Sequence, residues 1–285
     1  MPVSERHEPH IPFPNLPESV TAGHSISGLA LRPFGLYESD LEVDFNQPLR
    51  PFLVTDILEC CTREVQGGAV KSDFFWRLPV GKRIECLLGL AYLETGTDFP
   101  FTFRCLNEEC GVELEIEISV AEIAAQQEEA YATEWIAVDV ENEQWTLRRP
   151  TAGDQREWLN RKFADEPSAV KAMVRTLLVD ETGKEATGGA NLSNLVHAVN
   201  QAMDEHDPLV NFSVAIKCSS CGTEYSLEID LEEISLRQLR RAQTRLLSSV
   251  HTLATHYHWS EPKIFSVPYW RRARYLNLIQ NEKNQ

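Results

Sequence analysis

Two stretches of the chain alternate apolar and polar residues with a period of two, and each follows a cysteine pair closed by glycine. In the first, residues 99–103 lead into Cys105 and Cys110-Gly111, and Val112 starts the return. On that return Leu114, Ile116 and Ile118 alternate with Glu113, Glu115 and Glu117, which predicts a half-buried antiparallel strand with an acidic solvent face. In the second, residues 212–216 lead into Cys218-Ser219-Ser220-Cys221-Gly222, and residues 225–229 lead out. Cysteines at a hairpin tip followed by glycine form a knuckle: two thiolates face one ion, and glycine takes the positive φ of the turn.

Helical periodicity occupies most of the rest. Residues 54–65 repeat apolar positions at helical spacing, with Gly67-Gly68 as a stop signal. Residues 84–93, 120–132, 154–163, 170–178 and 192–204 read as further helices, with a loop at 183–189. The aromatic run Phe74-Phe75-Trp76 reads as a buried strand ending at the Pro79-Val80-Gly81 turn, and residues 135–138 as another strand. Residues 41–46 fit either a strand or a short helix. From Leu236 to Tyr257 apolar residues recur every three or four positions, predicting a long amphipathic helix with Arg237, Arg240, Arg241 and Arg245 on its polar side. Ser260-Glu261-Pro262 and Val267-Pro268 start two more helices.

The pattern repeats. Residues 144–154 echo 75–82, and Gly111 and Gly222 stand 111 positions apart (222 − 111). A period this long is a duplicated small domain, not a solenoid. The expected fold is α+β: two duplicated units, each with a zinc-knuckle hairpin, pairing into a zinc-ribbon-like core, plus a C-terminal helical arm. The expected boundaries are a flexible N-terminal arm at 1–40, units at 41–132 and 133–234, and the arm at 235–285.

Composition adds the charge picture. The 285 residues carry a formal charge of −16, but from Leu236 onward nine Lys/Arg face two acids, a net +7, leaving −23 on residues 1–235. An acidic body with a basic tail suits protein partners better than duplex nucleic acid, which needs a broad positive face. The tail also suits packing against its own acidic body. No apolar run reaches the roughly 18 residues of a membrane span. The proline-rich start lacks an apolar signal core, so a cytoplasmic protein is expected.

Seven cysteines is an odd number, which favours metal ligation over a disulfide framework. Cys105, Cys110, Cys218 and Cys221 are the candidate ligands of one shared structural zinc per chain. Four thiolates leave no open coordination position for catalysis. The Cys105-x4-Cys110 spacing is wider than usual, and a decayed knuckle or a labile disulfide is the other reading. Cys60, Cys61 and Cys86 read as buried thiols. His251, His256 and His258 cluster at the end of the long helix, where the helix dipole explains them without a metal. No nucleophile elbow, phosphate loop, dinucleotide fingerprint or His-Glu-x-x-His motif is present.

The closing segment carries a resemblance. Residues 250–261 (VHTLATHYHWSE), Ile264, Pro268 and residues 271–279 (RRARYLNLI) resemble the end of the contractile-tail baseplate hub assembly proteins of T-even phage type, a family also found in phage-like contractile injection systems. The turns Arg77-Leu78-Pro79-Val80-Gly81 and Arg149-Pro150-Thr151-Ala152-Gly153, and the hairpins at 105–111 and 218–222, are similar to that family's repeated turn and cysteine hairpin. The likeness spans roughly residues 74–281; the hairpins lack the family's proline, and the first is widened. It implies a non-enzymatic chaperone or minor component of the baseplate hub, binding hub or spike proteins and either acting in assembly or staying in the particle. The residue types that serve as interface anchors then single out Arg237, Arg241, Trp259, Tyr269, Trp270, Arg271, Arg272 and Arg274. A zinc-ribbon nucleic-acid-binding protein is the alternative.

Overall fold

The structure is a computed structural model, and it describes residues 10–21, 28–64, 70–141, 143–179 and 192–283. Expectations for residues 1–9, Gly67-Gly68 and the 183–189 loop lie outside the described residues.

The chain opens with β1 (Ile11–Pro12), α1 (Glu18–Thr21) and β2 (Leu29–Leu31). Next come α2 (Arg50–Cys61), β3 (Thr62–Glu64), α3 (Ser72–Arg77) and α4 (Val80–Thr95). β1, β2 and β3 form a small antiparallel sheet in that order. Residues 10–40 are therefore not a separate flexible arm where they are described. Phe13, Val20, Leu31 and Phe34 are buried in one core with α2, α3 and α4. Spaced apolar residues among the prolines supply the burial that average composition hides. Arg32 makes a buried ion pair with Asp40, 2.6 Å. Asp40 also accepts the amides of Gly35, Leu36 and Tyr37 at 2.8–3.0 Å. Residues 38–41 form a 3-10 turn, and no strand follows at 41–46.

Phe74-Phe75-Trp76 is helical, not a strand. A strand would send Phe74 and Phe75 to opposite faces, yet the core closes around both in a single helical turn. Phe74 meets Phe13, and Trp76 meets Phe52 edge-on at 5.0 Å.

The first hairpin is β4 (Phe99–Arg104) with β5 (Glu113–Ile118), followed by α5 (Val120–Ala130). Then come β6 (Ile136–Val140), β7 (Glu143–Leu147), α6 (Ala152–Asn160), α7 (Glu166–Leu177), β8 (Leu178–Val179) and α8 (Leu192–His206). β6, β7 and β8 pair antiparallel and share a core with α7 and α8. The echo between the halves holds only from the prolines onward, because β7 is a strand where α3 is a helix.

The second hairpin, β9 (Ser213–Lys217) with β10 (Glu224–Glu228), does not join that core. Its Val214 and Leu227 pack instead with Phe101 and Ile116 of the first hairpin and with Ile84 and Leu88 of α4. The second half is thus split, and its hairpin belongs to the first half's core.

The long helix α9 (Leu231–Tyr257) begins directly after β10 and is followed by α10 (Glu261–Phe265) and α11 (Tyr269–Lys283). Asp230 caps α9 by accepting the Glu233 amide, 2.9 Å. α9 is not a detached arm. Leu231 and Ile234 enter the hairpin core, Leu236, Leu239 and Ala242 enter the N-terminal core, and Leu246, Val250 and Leu253 pack with α10 and α11. One 27-residue helix, about 40 Å long at 1.5 Å per residue, spans three cores.

Candidate metal centre and the junction behind it

Both hairpins close their tips the same way. The Cys105 amide donates to the Val112 carbonyl at 2.9 Å, and the Cys218 amide donates to the Thr223 carbonyl at 2.9 Å. The acceptor follows the knuckle glycine in each case, and Gly111 and Gly222 take φ of +54° and +73°. The wider first knuckle absorbs its extra residues at Asn107. The Asn107 carbonyl accepts the Cys110 and Gly111 amides, and its side-chain oxygen accepts the Glu109 amide. The chelating geometry survives the widened spacing for that reason.

The two tips meet. Cys105 Sγ lies 3.7 Å from Cys221 Sγ, and Cys110 Sγ lies 3.9 Å from Cys218 Sγ. All four sulfurs fall within 4.8 Å of one another. Among the described residues no other group of three or more His, Cys, Asp or Glu gathers in this way. A tetrahedron with metal–sulfur bonds of about 2.3 Å has sulfurs about 3.8 Å apart, so the donor set fits a four-thiolate metal ion. Asn107 Nδ2 donates to Thr223 Oγ1 at 3.3 Å, a second link between the tips.

The thiols are not equivalent. Cys105 and Cys218 are buried, Cys110 is half-buried and Cys221 is exposed. The Thr223 hydroxyl and amide, helped by the Cys218 and Cys105 thiols, draw Cys221 down to about 6. At Cys105 the Asn107 amide pulls down, but burial and the three neighbouring thiols outweigh it and push the group up to about 11. Cys61 and Cys86 are buried, and burial raises both thiols well above the usual range. Cys60 is only half-buried, with Arg32 Nη2 at 3.2 Å.

The C-terminal residues divide. Arg237, Arg241, Arg271 and Arg274 are exposed. Arg272 is not partner surface. It is buried, its guanidinium sits 4.9 Å from the Phe265 ring, and it donates to the Leu36 carbonyl. Its place in the helical stripe turns it inward, which a run of arginines does not reveal. Trp259 packs on Tyr257 and Tyr275 at 4.9 and 5.3 Å, so its ring belongs to the fold. Tyr269 and Trp270 are half-buried, with Arg274 stacked 5.3 Å from the Trp270 ring. The histidines do not form a cluster of ligands; His256 Nε2 instead lies 3.5 Å from Glu282.

A second constellation lies behind the hairpins. The two Pro-x-(x)-Gly turns touch each other: Pro79 bridges Thr151, Val80 N–H donates to the Pro150 carbonyl at 2.9 Å, and Ala152 N–H donates to the Leu78 carbonyl at 3.1 Å. Each turn starts a helix. Beside them Arg149 is buried and donates to the carbonyls of His206, Thr133 and Glu134 at 2.8–3.1 Å. Its guanidinium stacks 4.0 Å from the Tyr131 ring. Asp207 is almost fully buried and accepts from the Tyr131 hydroxyl at 3.1 Å. The repeated turn was legible in sequence; Tyr131 and Asp207 were not, since nothing marks a single Tyr or Asp just past a helix end as a junction residue.

Burial pushes the Asp207 carboxyl up to about 6, even though Arg149 and the Tyr131 hydroxyl favour its charged form. The native state therefore holds this proton more tightly than the unfolded chain, whose carboxyl titrates near 3.8. The stabilising protonation is complete below pH 4 and is lost as pH rises through 6. Across that window the buried charge costs about 3 kcal/mol. Chemical denaturation of the wild type and Asp207→Asn is expected to show the variant gaining about 2 kcal/mol of relative stability between pH 4.5 and 7.5, the part of that cost that falls inside this range; parallel pH profiles would contradict it.

No family model, curated protein or solved structure matches the chain. Among the described residues no helix is long and apolar enough to cross a membrane.

Proposed function

We propose that the protein is a non-enzymatic assembly factor or minor structural component of the baseplate hub of a contractile tail, in a phage or a phage-like injection system. It acts as a scaffold held by one structural zinc per chain, and it binds hub or spike proteins through its C-terminal helices in the cytoplasm of the producing cell. The observation that carries the reading is the closing segment. The residues resembling the hub assembly family fold into α9, α10 and α11, which present Arg237, Arg241, Arg271 and Arg274 to solvent. Zinc is favoured over other ions because four thiolates in a tetrahedral arrangement are its preferred structural donor set. A closed site of this kind supports rigidity rather than turnover.

Co-expression with the hub and spike proteins of such a tail tests the proposal. A stoichiometric complex is expected; hub proteins that never associate with the chain and assemble normally without it would end this reading. The quadruple variant Arg237→Gln, Arg241→Gln, Arg271→Gln, Arg274→Gln is expected to weaken that complex at least tenfold, about 1.4 kcal/mol, with an unchanged melting temperature. Surface charges removed from exposed sites leave the core intact. The nucleic-acid alternative draws on the same arginines and predicts steeply salt-dependent binding to DNA or RNA. The −23 charge of residues 1–235 opposes it.

A further inference from the structure

The four thiols lie within 4.8 Å of one another, each with a close neighbour on the opposite hairpin, and only Cys221 is exposed. Cys105 and Cys221 stand 3.7 Å apart, and Cys110 and Cys218 stand 3.9 Å apart. Cys221 is exposed, whereas Cys105 and Cys218 are buried and Cys110 is half-buried. The hairpins form separate two-stranded sheets with no strand pairing between them. They are held together by apolar side chains, by the Asn107–Thr223 bond and by the sulfur cluster.

We infer that Cys221 is an oxidation site: a hydroperoxide oxidises the metal clasp there, Cys105 closes a disulfide onto it, and the metal leaves. This inference rests on the four-thiolate metal reading of the same site. The chemistry balances. The Cys221 sulfur attacks a peroxide oxygen, the O–O bond breaks, and the departing hydroxide takes a proton to become water. The sulfur now carries a hydroxyl. The Cys105 sulfur attacks it, the S–O bond breaks, and a second hydroxide leaves and is protonated. Two sulfurs have given up two electrons, and hydrogen peroxide has become two waters. The sulfurs need to close by about 1.7 Å to reach the S–S length of about 2.0 Å. Cys110 and Cys218 alone make a two-ligand site, which does not hold a structural zinc.

The direction of the effect follows from which cysteines pair. Cys105 lies on the first hairpin and Cys221 on the second, so the disulfide crosses the tips and keeps them joined after the metal has gone. Oxidation exchanges one clasp for another and leaves Cys110 and Cys218 as free thiols. Cys218 in the same knuckle competes with Cys105 for Cys221, and outside the cluster Cys60 is the competing thiol, half-buried beside Arg32.

The test uses the full-length, metal-loaded protein with hydrogen peroxide as the probe. Metal content is measured first by elemental analysis. Released zinc is then followed with a chromogenic chelator, and disulfides are mapped by mass spectrometry after alkylation of free thiols. One zinc released for every two thiols consumed is expected, with the first disulfide joining Cys105 to Cys221 and the mass falling by two hydrogens. Cys60→Ser is expected to respond identically. Retention of the metal with all seven thiols still alkylatable would overturn the inference, as would first oxidation at Cys60, between Cys110 and Cys218, or between Cys218 and Cys221 within one knuckle. Protein that never holds a metal fails the zinc reading instead, at the first measurement.

Discussion

Removing the metal with a strong chelator is expected to lower the melting temperature by about 10–20 °C, and restoring zinc is expected to recover it. The estimate takes about 5 kcal/mol of linkage from a tightly bound ion and about 2–4 °C per kcal/mol for a domain of this size. The value is below the roughly 10–16 kcal/mol of zinc in small finger peptides, because here other packing survives metal loss. Phe101 and Ile116 still pack against Val214 and Leu227. The damage should therefore be local. Amide exchange should accelerate in β4, β5, β9 and β10 and remain slow in the middle of α9, which is anchored in the N-terminal core by Leu236, Leu239 and Ala242. Cys218→Ser should reproduce the loss, with elemental analysis falling from about one zinc per chain to none. Cys60→Ser, away from the cluster, should keep its metal. A chelated protein that melts with the untreated one would show that the four sulfurs hold no structural ion.

The second large effect is expected at Gly81, in the first turn of α4. A Cβ built there would lie 1.9 Å from Asp207 Oδ1, 2.9 Å from Asp207 Cγ and 2.8 Å from Gln127 Nε2. None of these neighbours has room to retreat: Gln127 is fully buried and Asp207 nearly so. Shifting the Asp207 carboxylate breaks its bond from Tyr131 and moves a buried charge relative to Arg149. Overpacking and a broken buried hydrogen bond together predict a loss of about 3–5 kcal/mol for Gly81→Ala. That corresponds to about 6–20 °C in melting temperature. Gly96 supplies the comparison. It closes α4 at φ +68° with nothing within 4 Å of an added Cβ. Gly96→Ala should cost only the backbone term, about 1–2 kcal/mol. If crowding against Asp207 is the cause, Asp207→Ala should recover part of the Gly81→Ala loss, with a coupling of at least about 1 kcal/mol. Additive losses would assign the damage to the helix start alone.

Most helices were legible because their apolar stripes have the right period, and the last two were legible in their start signals as well; α9 begins at Leu231 under the Asp230 cap, five residues before the stripe that predicted it. The hairpins were legible from alternation and glycine. The aromatic run at Phe74 was misread because three adjacent large apolar residues fit either a buried strand or a buried helix, and periodicity does not separate them. The N-terminal segment was misread because its prolines and charges outweigh the few apolar anchors, Phe13 among them, that tie it to the core. The arginines of α11 were grouped as one surface, although helical geometry turns Arg272 inward while Arg271 and Arg274 stay out.

By itself the sequence determined the local elements and the four donor atoms, since thiols, glycine turns and periodic stripes depend on neighbours a few residues away. Only the tertiary structure decided which distant groups meet. Cys105 and Cys221 are separated by 116 residues, and Pro79 and Thr151 by 72. α9 decides where the second hairpin goes, because it leaves β10 directly and buries its first residues beside α4. Contacts of that length are fixed by how whole faces pack, a collective choice that no short stretch of residues encodes.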